Sequence, residues 1–393
     1  MIVRQFLQWQ RTASAAERAD ATSALARAYL YSDLSPDDRA AAEGALLMLL
    51  DDPSPLVRAS LAQALASSKQ APPTVILALA GDQPEIAAHV LEHSPLLVDA
   101  DLVDAAATFG PPAQLAIASR LALPRAVSAA IAEVGSPEAC LVLIENASAE
   151  IALFSLDRIV ERFGHLGAIR EAMLARPDLP VHTRQGLVAK LSQTLAGFVT
   201  ARAWLAEDRA QRMAKEACEK ATVILAAVSP GHEIRPLVSH LRESGQLTAG
   251  LVLRALLSGN VELFVQALAE LSDIPHMRVS ALVHDKRGTG FRALYRRAGL
   301  PESTYPAFSE AIEAMREVGF VGNPRGATNL KRRMVERVLT RCAEQSLGDL
   351  EPLLTLLRRF AAEAAREEAR MFCDDLVAND AITPPYEPAR AAA

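Results

Sequence analysis

The chain has 393 residues, half of them apolar and 22% charged, with aromatic residues at only 5%. That balance excludes a disordered chain and suits a folded, alanine- and leucine-rich helical protein. No apolar run nears the ~20 residues needed to cross a bilayer, and the net charge of −6 is unevenly spread. Residues 1–200 hold 15 Lys and Arg against 22 Asp and Glu, whereas 275–345 hold 13 against 7. Such asymmetry points to two surfaces with different partners, or to one end of the chain docking on the other.

The N-terminal run Met-Ile-Val-Arg-Gln-Phe-Leu-Gln-Trp-Gln lacks the long apolar core of a signal peptide, so a cytoplasmic location is expected. Cys140, Cys218, Cys342 and Cys373 are far apart and read as buried free thiols of a reducing compartment. Valine and isoleucine follow helical spacings with no alternating run, so an all-α fold is expected.

In chain order, Ser14 is placed to cap a helix over 15–31, with Glu17 as its capping-box partner. Ser35 and Pro36 open the next, and residues 1–39 form a helical cap. From 40 to 196 a repeat of about thirty residues sets in, the period of stacked helical hairpins. Asp52 and Asp82 keep that step, as do Leu56 and Ile86, and Leu61, Leu91 and Leu121, with Leu156 and Leu187 at longer intervals. Breakers precede each second helix: Asp52-Pro53, Asp82-Gln83-Pro84, Gly110-Pro111-Pro112, Asn146-Ala147-Ser148 and Pro177 to Pro180. About five helical pairs result. Residues 197–274 read as a long helix over 198–228 and further hairpins at 233–243, 248–258 and 261–271. A basic helical region follows over 275–380, with a loop at Gly319–Gly326 and helices at about 329–343 and 349–378. Residues 381–393 read as a disordered tail.

Asp52-Pro53 followed by Val57-Arg58 resembles the HEAT-repeat pattern, in which an aspartate and an arginine brace neighbouring repeats. The later repeats lack the arginine, with Ala88 in place of Arg58. The architecture expected is a HEAT-like α-solenoid of helical hairpins followed by a C-terminal helical domain. Residues 1–110 also resemble DUF2336, an alphaproteobacterial family of unknown function. The segments that carry this are Leu50–Arg58, Leu77–Ala87 and Val90–Leu97, with Phe291–Pro301 further on. The resemblance implies a bacterial, largely helical protein and supplies no activity.

Asp51, Asp52 and Arg58 are read as a structural brace. His89, Glu92 and His93 share a helix, but two histidines four apart need a third ligand to hold zinc, so no metal site is assigned. Residues 284–297, with Lys286, Arg287, Arg292, Arg296 and Arg297, offer glycines and cations before a helix, an arrangement able to meet an anion. It lacks the P-loop signature. Arg333, Arg337 and Arg341 recur at four-residue spacing beside the apolar stripe Leu330, Met334 and Val338. Helices 291–298 and 302–318 loosely resemble a helix-turn-helix, but Glu302, Glu310, Glu313 and Glu317 oppose entry into a DNA groove. His284-Asp285 is a weak catalytic pair, because adjacent side chains rarely point together.

No catalytic residue and no cofactor is assigned. The leading reading is a non-enzymatic scaffold or adaptor that binds a protein partner, in a bacterial regulatory role. Nucleic-acid binding through 275–345 is the first alternative. An enzyme whose site gathers His284, Tyr295 and arginines between helices is the second.

Overall fold

Proline opens six helices in the first half of the chain, at Pro36, Pro55, Pro73, Pro84, Pro111 and Pro137. The first turn of a helix needs no N–H donor, and proline's fixed φ suits it. The computed structural model describes residues 9, 12–285, 289–318, 331–344 and 351–382. Packing divides the chain into two compact units, Met1–Leu179 and Pro180–Ala393. No strand occurs among the described residues.

The first unit contains α1 (Ala15–Tyr31), α2 (Pro36–Leu49), α3 (Pro55–Leu65), α4 (Pro73–Ala80), α5 (Pro84–His93), α6 (Asp99–Thr108), α7 (Pro111–Ala118), α8 (Arg125–Val134), α9 (Pro137–Glu145), α10 (Leu153–Phe163) and α11 (Gly167–Ala175). Ser14 and Glu17 form the expected capping box, and Ser35 caps α2 through the Asp38 amide at 3.2 Å. Each odd-numbered helix from α1 to α11 packs on the next odd-numbered one. The even-numbered helices form a second row, in which α6, α8 and α10 pack in succession. Buried alanines, among them Ala62, Ala87, Ala106 and Ala132, let the backbones approach closely. This is a helical-repeat arrangement.

The thirty-residue step is looser than the leucines imply. Leu61, Leu91 and Leu156 are buried in helices, but Leu121 lies in the turn after α7 and is 88% exposed. Leu56 is exposed too, and its neighbour Val57 takes the buried position that Ile86 holds in α5. The helix starts at Pro55, Pro84, Pro111 and Pro137 fall progressively closer together, so a fixed step drifts out of register.

Arginines tie successive hairpins together, with partners other than those expected. Arg18 donates through Nε and Nη2 to the Asp52 carboxylate at 2.8 and 2.9 Å. Arg58 makes the same fork on Asp82 at 2.7 and 3.1 Å, and its Nη1 donates to the Asp52 carbonyl at 2.7 Å. The Asp52 carboxylate therefore belongs to Arg18, and Asp51 is exposed. The later repeats are not without arginines. Arg120 donates to the Leu91 and Ser94 carbonyls at 2.5 and 2.7 Å, and Arg162 to those of Ala132 and Gly135 at 2.7 and 2.8 Å. Arg176 reaches the Ile144 carbonyl at 3.2 Å. Gly135 is required where α8 ends, because a Cβ there would collide with the Ile131 carbonyl.

The second unit begins with α12 (Val181–Ala201) and α13 (Glu207–Val228), a hairpin whose turn places Ala203 at φ 54°. The expected single helix over 198–228 is thus broken at 202–206. α12 packs against α13 and α14 (Gly231–Glu243), and Glu233 of α14 accepts from the Val181 amide at 3.0 Å. These contacts draw 180–196 into the second unit and end the two-row stack at α11. α15 (Ala249–Ser258) and α16 (Val261–Ser272) form its centre, and Leu251–Ser258 is buried without a break. Around them lie α17 (His276–His284), α18 (Thr289–Arg297), a short 3-10 turn at Glu302–Thr304, α19 (Tyr305–Val318), α20 (Arg332–Glu344) and α21 (Glu351–Ile382). Phe291, Tyr295 and Phe308 are core residues. The loop expected at Gly319–Gly326, and the tail from 383 onward, lie outside the described residues.

Burial holds the Cys140 and Cys342 thiols up at about 11, whereas Cys373 is exposed, against the expectation of four buried thiols. A maleimide at pH 8 is expected to label Cys373 rapidly and Cys140 and Cys342 only on unfolding; equal rates for these three would contradict this packing.

Burial opposes charge on Asp82, but the Arg58 fork and the Gln83 amide outweigh it and hold the carboxyl below its ordinary range. Arg58→Ala should cost about 2 kcal/mol in urea denaturation, the scale for shielded hydrogen bonds to a charged group. Because the folded value is depressed, this contribution is complete above the ordinary value near 3.8 and is lost as pH falls through the folded value. The bond from Arg58 to the Asp52 carbonyl leaves a residual cost at low pH, but a cost in Arg58→Ala that does not fall at all as Asp82 is protonated would contradict the assignment to this pair.

Candidate functional site

Alanine and glycine on one face of α12 leave space that larger side chains would fill. Ala189, Ala196 and Gly197 face Ala214 on α13, and with Leu241 and Leu251 they bound an open cleft of about 790 Å³ within the second unit. A Cβ added at Gly197 would meet nothing within 4 Å, as befits a position facing open space. Cavities of this size suit drug-sized molecules or a short peptide segment.

The cleft has a polar end. Glu219 is 7% exposed, and its Oε1 accepts from the Thr248 hydroxyl at 2.8 Å. Thr248 also caps α15 through the Leu251 amide at 3.2 Å, which fixes the hydroxyl in place. Gly250 gives the carboxyl its room, since a Cβ there would stand 3.3 and 3.4 Å from the two carboxylate oxygens. Gln246 Oε1 accepts from the Gln185 amide at 2.8 Å and from the Cys218 thiol at 3.5 Å. Gln185 is fully buried, and its Oε1 has no hydrogen-bond partner. Burial pushes the Glu219 carboxyl above its ordinary range, against the opposing pull of the Thr248 hydrogen bond and of Lys215 and Arg254. Burial likewise raises the Cys218 thiol.

The turn of the α12–α13 hairpin, away from this polar end, carries exposed apolar groups. Phe198 is 45% and Trp204 63% exposed, with ring centroids 5.7 Å apart in an edge-on arrangement. The Arg202 guanidinium lies 4.2 Å from the Phe198 ring centroid, a cation–π contact that stiffens the turn. Large exposed aromatics are typical of binding surfaces.

The cations singled out in the sequence are dispersed. Lys286 and Arg287 lie outside the described residues. Arg292 sits over the Tyr305 ring at 5.3 Å, Arg296 pairs with Glu302 at 2.5 Å, and Arg297 donates to the Ser272 carbonyl at 2.8 Å. Arg333 is exposed, Arg337 is half-buried, and Arg341 pairs with Glu310 at 3.3 Å. His284 hydrogen-bonds the Ser280 carbonyl of its own helix at 2.7 Å, while Tyr295 is fully buried with its hydroxyl 2.8 Å from the Pro301 carbonyl. These groups do not share a cavity. His89 contacts Gln63 at 3.1 Å, His93 is exposed, and no three metal-ligating groups converge among the described residues.

Glu219 and its neighbours escaped the sequence reading because they are distributed over three helices and a corner. The available signal was the small-residue series Ala189, Ala196 and Gly197, which reads equally well as close helix packing.

For Glu219 the folded value is raised, so the folded state binds the proton more tightly than the unfolded chain. Stability therefore falls as pH rises from the ordinary value near 4.5 through the folded value. Glu219→Gln removes that loss. As pH rises above the ordinary value near 4.5, the urea midpoint of the variant should gain on that of the natural protein, and a constant difference would refute the raised carboxyl.

Comparison with known proteins adds a family. No curated protein and no solved structure matches the chain. Residues 86–348 match the model of a family described as "Uncharacterised protein conserved in bacteria (DUF2336)". The match begins at Ile86, so Val90–Leu97 and Phe291–Pro301 fall within it and Leu50–Arg58 does not. It takes in the second row of short helices from α6, the whole cleft and the aromatic core, and the chain belongs to the DUF2336 family.

Proposed function

We propose that the protein is a non-enzymatic scaffold whose first unit is a HEAT-like repeat array and whose second unit holds an apolar segment of a protein partner in the α12–α13 cleft. One observation carries this reading: alanine and glycine leave an open cleft of about 790 Å³ on the α12–α13 hairpin, whose turn also leaves Phe198 and Trp204 in water. An apolar partner segment would fill the cleft, and aromatic side chains on it would supply much of the energy, as they do at protein interfaces. Glu219, Gln246 and Thr248, which line the cleft, would then meet polar groups on that segment and set its register.

Nucleic-acid binding through 275–345 has less support. Arg296 and Arg341 are engaged by Glu302 and Glu310, and Arg332 by Glu336 and Glu368. That leaves no continuous basic stripe among the described residues of this region. Deleting 275–345 is also a poor test, because it removes the core residues Phe291, Tyr295 and Phe308.

A photo-crosslinking amino acid at Ala196 tests the reading in the native host. A discrete partner should be captured from Ala196, and Gly197→Trp, which fills the cleft, should abolish capture while helicity is unchanged. Absence of a discrete adduct, or its persistence in Gly197→Trp, would sink the proposal.

A further inference from the structure

α13 presents a second, chemically opposite face to α21. Arg209, Arg212, Arg359 and Arg366 line one hollow of about 480 Å³ there, and an adjoining hollow adds Lys220 and Arg370. Glu216, Glu363 and Glu367 are the acids of the two hollows, and each is already engaged. Glu216 pairs with Arg359 at 2.5 Å, Glu363 with Arg254 at 2.8 Å, and Glu367 with Lys220 at 3.1 Å. Arg209, Arg212 and Arg366 are exposed and have no carboxylate partner among the described residues.

This concentration of cations is unexpected in a chain of net charge −6. Four arginines against two glutamates leave the hollow with an excess of positive charge, and an anion there relieves the repulsion between the unpaired guanidinium groups. Guanidinium groups donate in a planar fork that matches phosphate oxygens two at a time. Arg209 and Arg212 are three apart on α13, and Arg359 and Arg366 lie two turns apart on α21. A ligand in the hollow is therefore met from both helices. Glu216 and Glu363 line the same hollow and repel an anion that extends over them. That limits the ligand to a compact group and disfavours a long polyanion. The supporting cations are held in place, since Arg254 is 2% exposed, lies 4.5 Å from the Phe360 ring centroid and anchors Glu363.

We infer that the hollow between α13 and α21 binds a diphosphate or triphosphate group through Arg209, Arg212, Arg359 and Arg366. The site is independent of the partner-binding cleft, which lies on the other face of α13.

Calorimetric titration of the full chain with inorganic pyrophosphate, tripolyphosphate and ADP tests it, with sulfate at matched ionic strength and a short single-stranded oligonucleotide as comparisons. Saturable binding of the phosphate compounds is expected. Arg212→Ala and Arg366→Ala should each weaken it by about tenfold or more, as loss of a charge-assisted fork implies. Arg333→Ala, an exposed arginine outside the hollow, should leave it unchanged. Tighter binding of ADP than of pyrophosphate assigns the group to a nucleotide, and the reverse assigns it to free polyphosphate. No saturable phosphate binding overturns the inference. So does equal weakening by Arg333→Ala, or tighter binding of the oligonucleotide than of any phosphate compound.

Discussion

Each helix of the first unit is between eight and seventeen residues long, and a helix that short leaves a large share of its carbonyls without intrahelical partners. The unit depends on closing these ends. Arginine does so across the gap between one hairpin and the next. Arg120, Arg162 and Arg176 each bring guanidinium donors to the carbonyls at the end of an earlier helix, where the helix dipole also favours a cation. Near the N-terminus the acceptor is a carboxylate, Asp52 or Asp82, which itself accepts from the amide that begins the next turn. One side chain thus satisfies an end and fixes the spacing between layers.

The second unit is built on a different constraint. Its central helices α15 and α16 are apolar on nearly every side and must be enclosed, and α13, α14, α17, α18 and α19 pack around them. α13 consequently has two working faces. Ala214, Cys218 and Glu219 turn toward the alanine- and glycine-lined cleft, and Arg209, Arg212 and Glu216 toward α21. An apolar opening with a buried carboxyl and a cationic hollow are separated by the width of one helix. The charged pair of Arg254 and Glu363 stands between them: Arg254 favours the ionised form of Glu219, and Glu363 lines the hollow.

Much of the fold was legible in the chain. Ser14 with Glu17, Ser35 with Pro36, and the Asp-Pro corner before α3 gave helix starts that the structure contains, because capping and proline geometry act within a few residues. The repeat was legible as a pattern but not in register, since Leu121 keeps the thirty-residue step and yet lies in a turn. The break at 202–206 was not legible. Nothing local forces Ala203 into a left-handed conformation, and it is the packing of α12 against α13 and α14 that demands the turn there.

The candidate site shows the same division. By itself the sequence determined an all-helical chain, the repeat of short hairpins, Asp52 and Arg58 but not Asp51 as polar ties, and a membership of DUF2336 that rests on residues 86–348. These depend on periodicity, capping and local composition. Only the tertiary structure decided which arginine meets which aspartate, that Arg296 and Arg341 are engaged by neighbouring carboxylates, and that Glu219 and the Arg209–Arg366 cluster line the opposite faces of α13. Those choices depend on distances between residues tens to more than a hundred positions apart, and the packing of whole helices sets them.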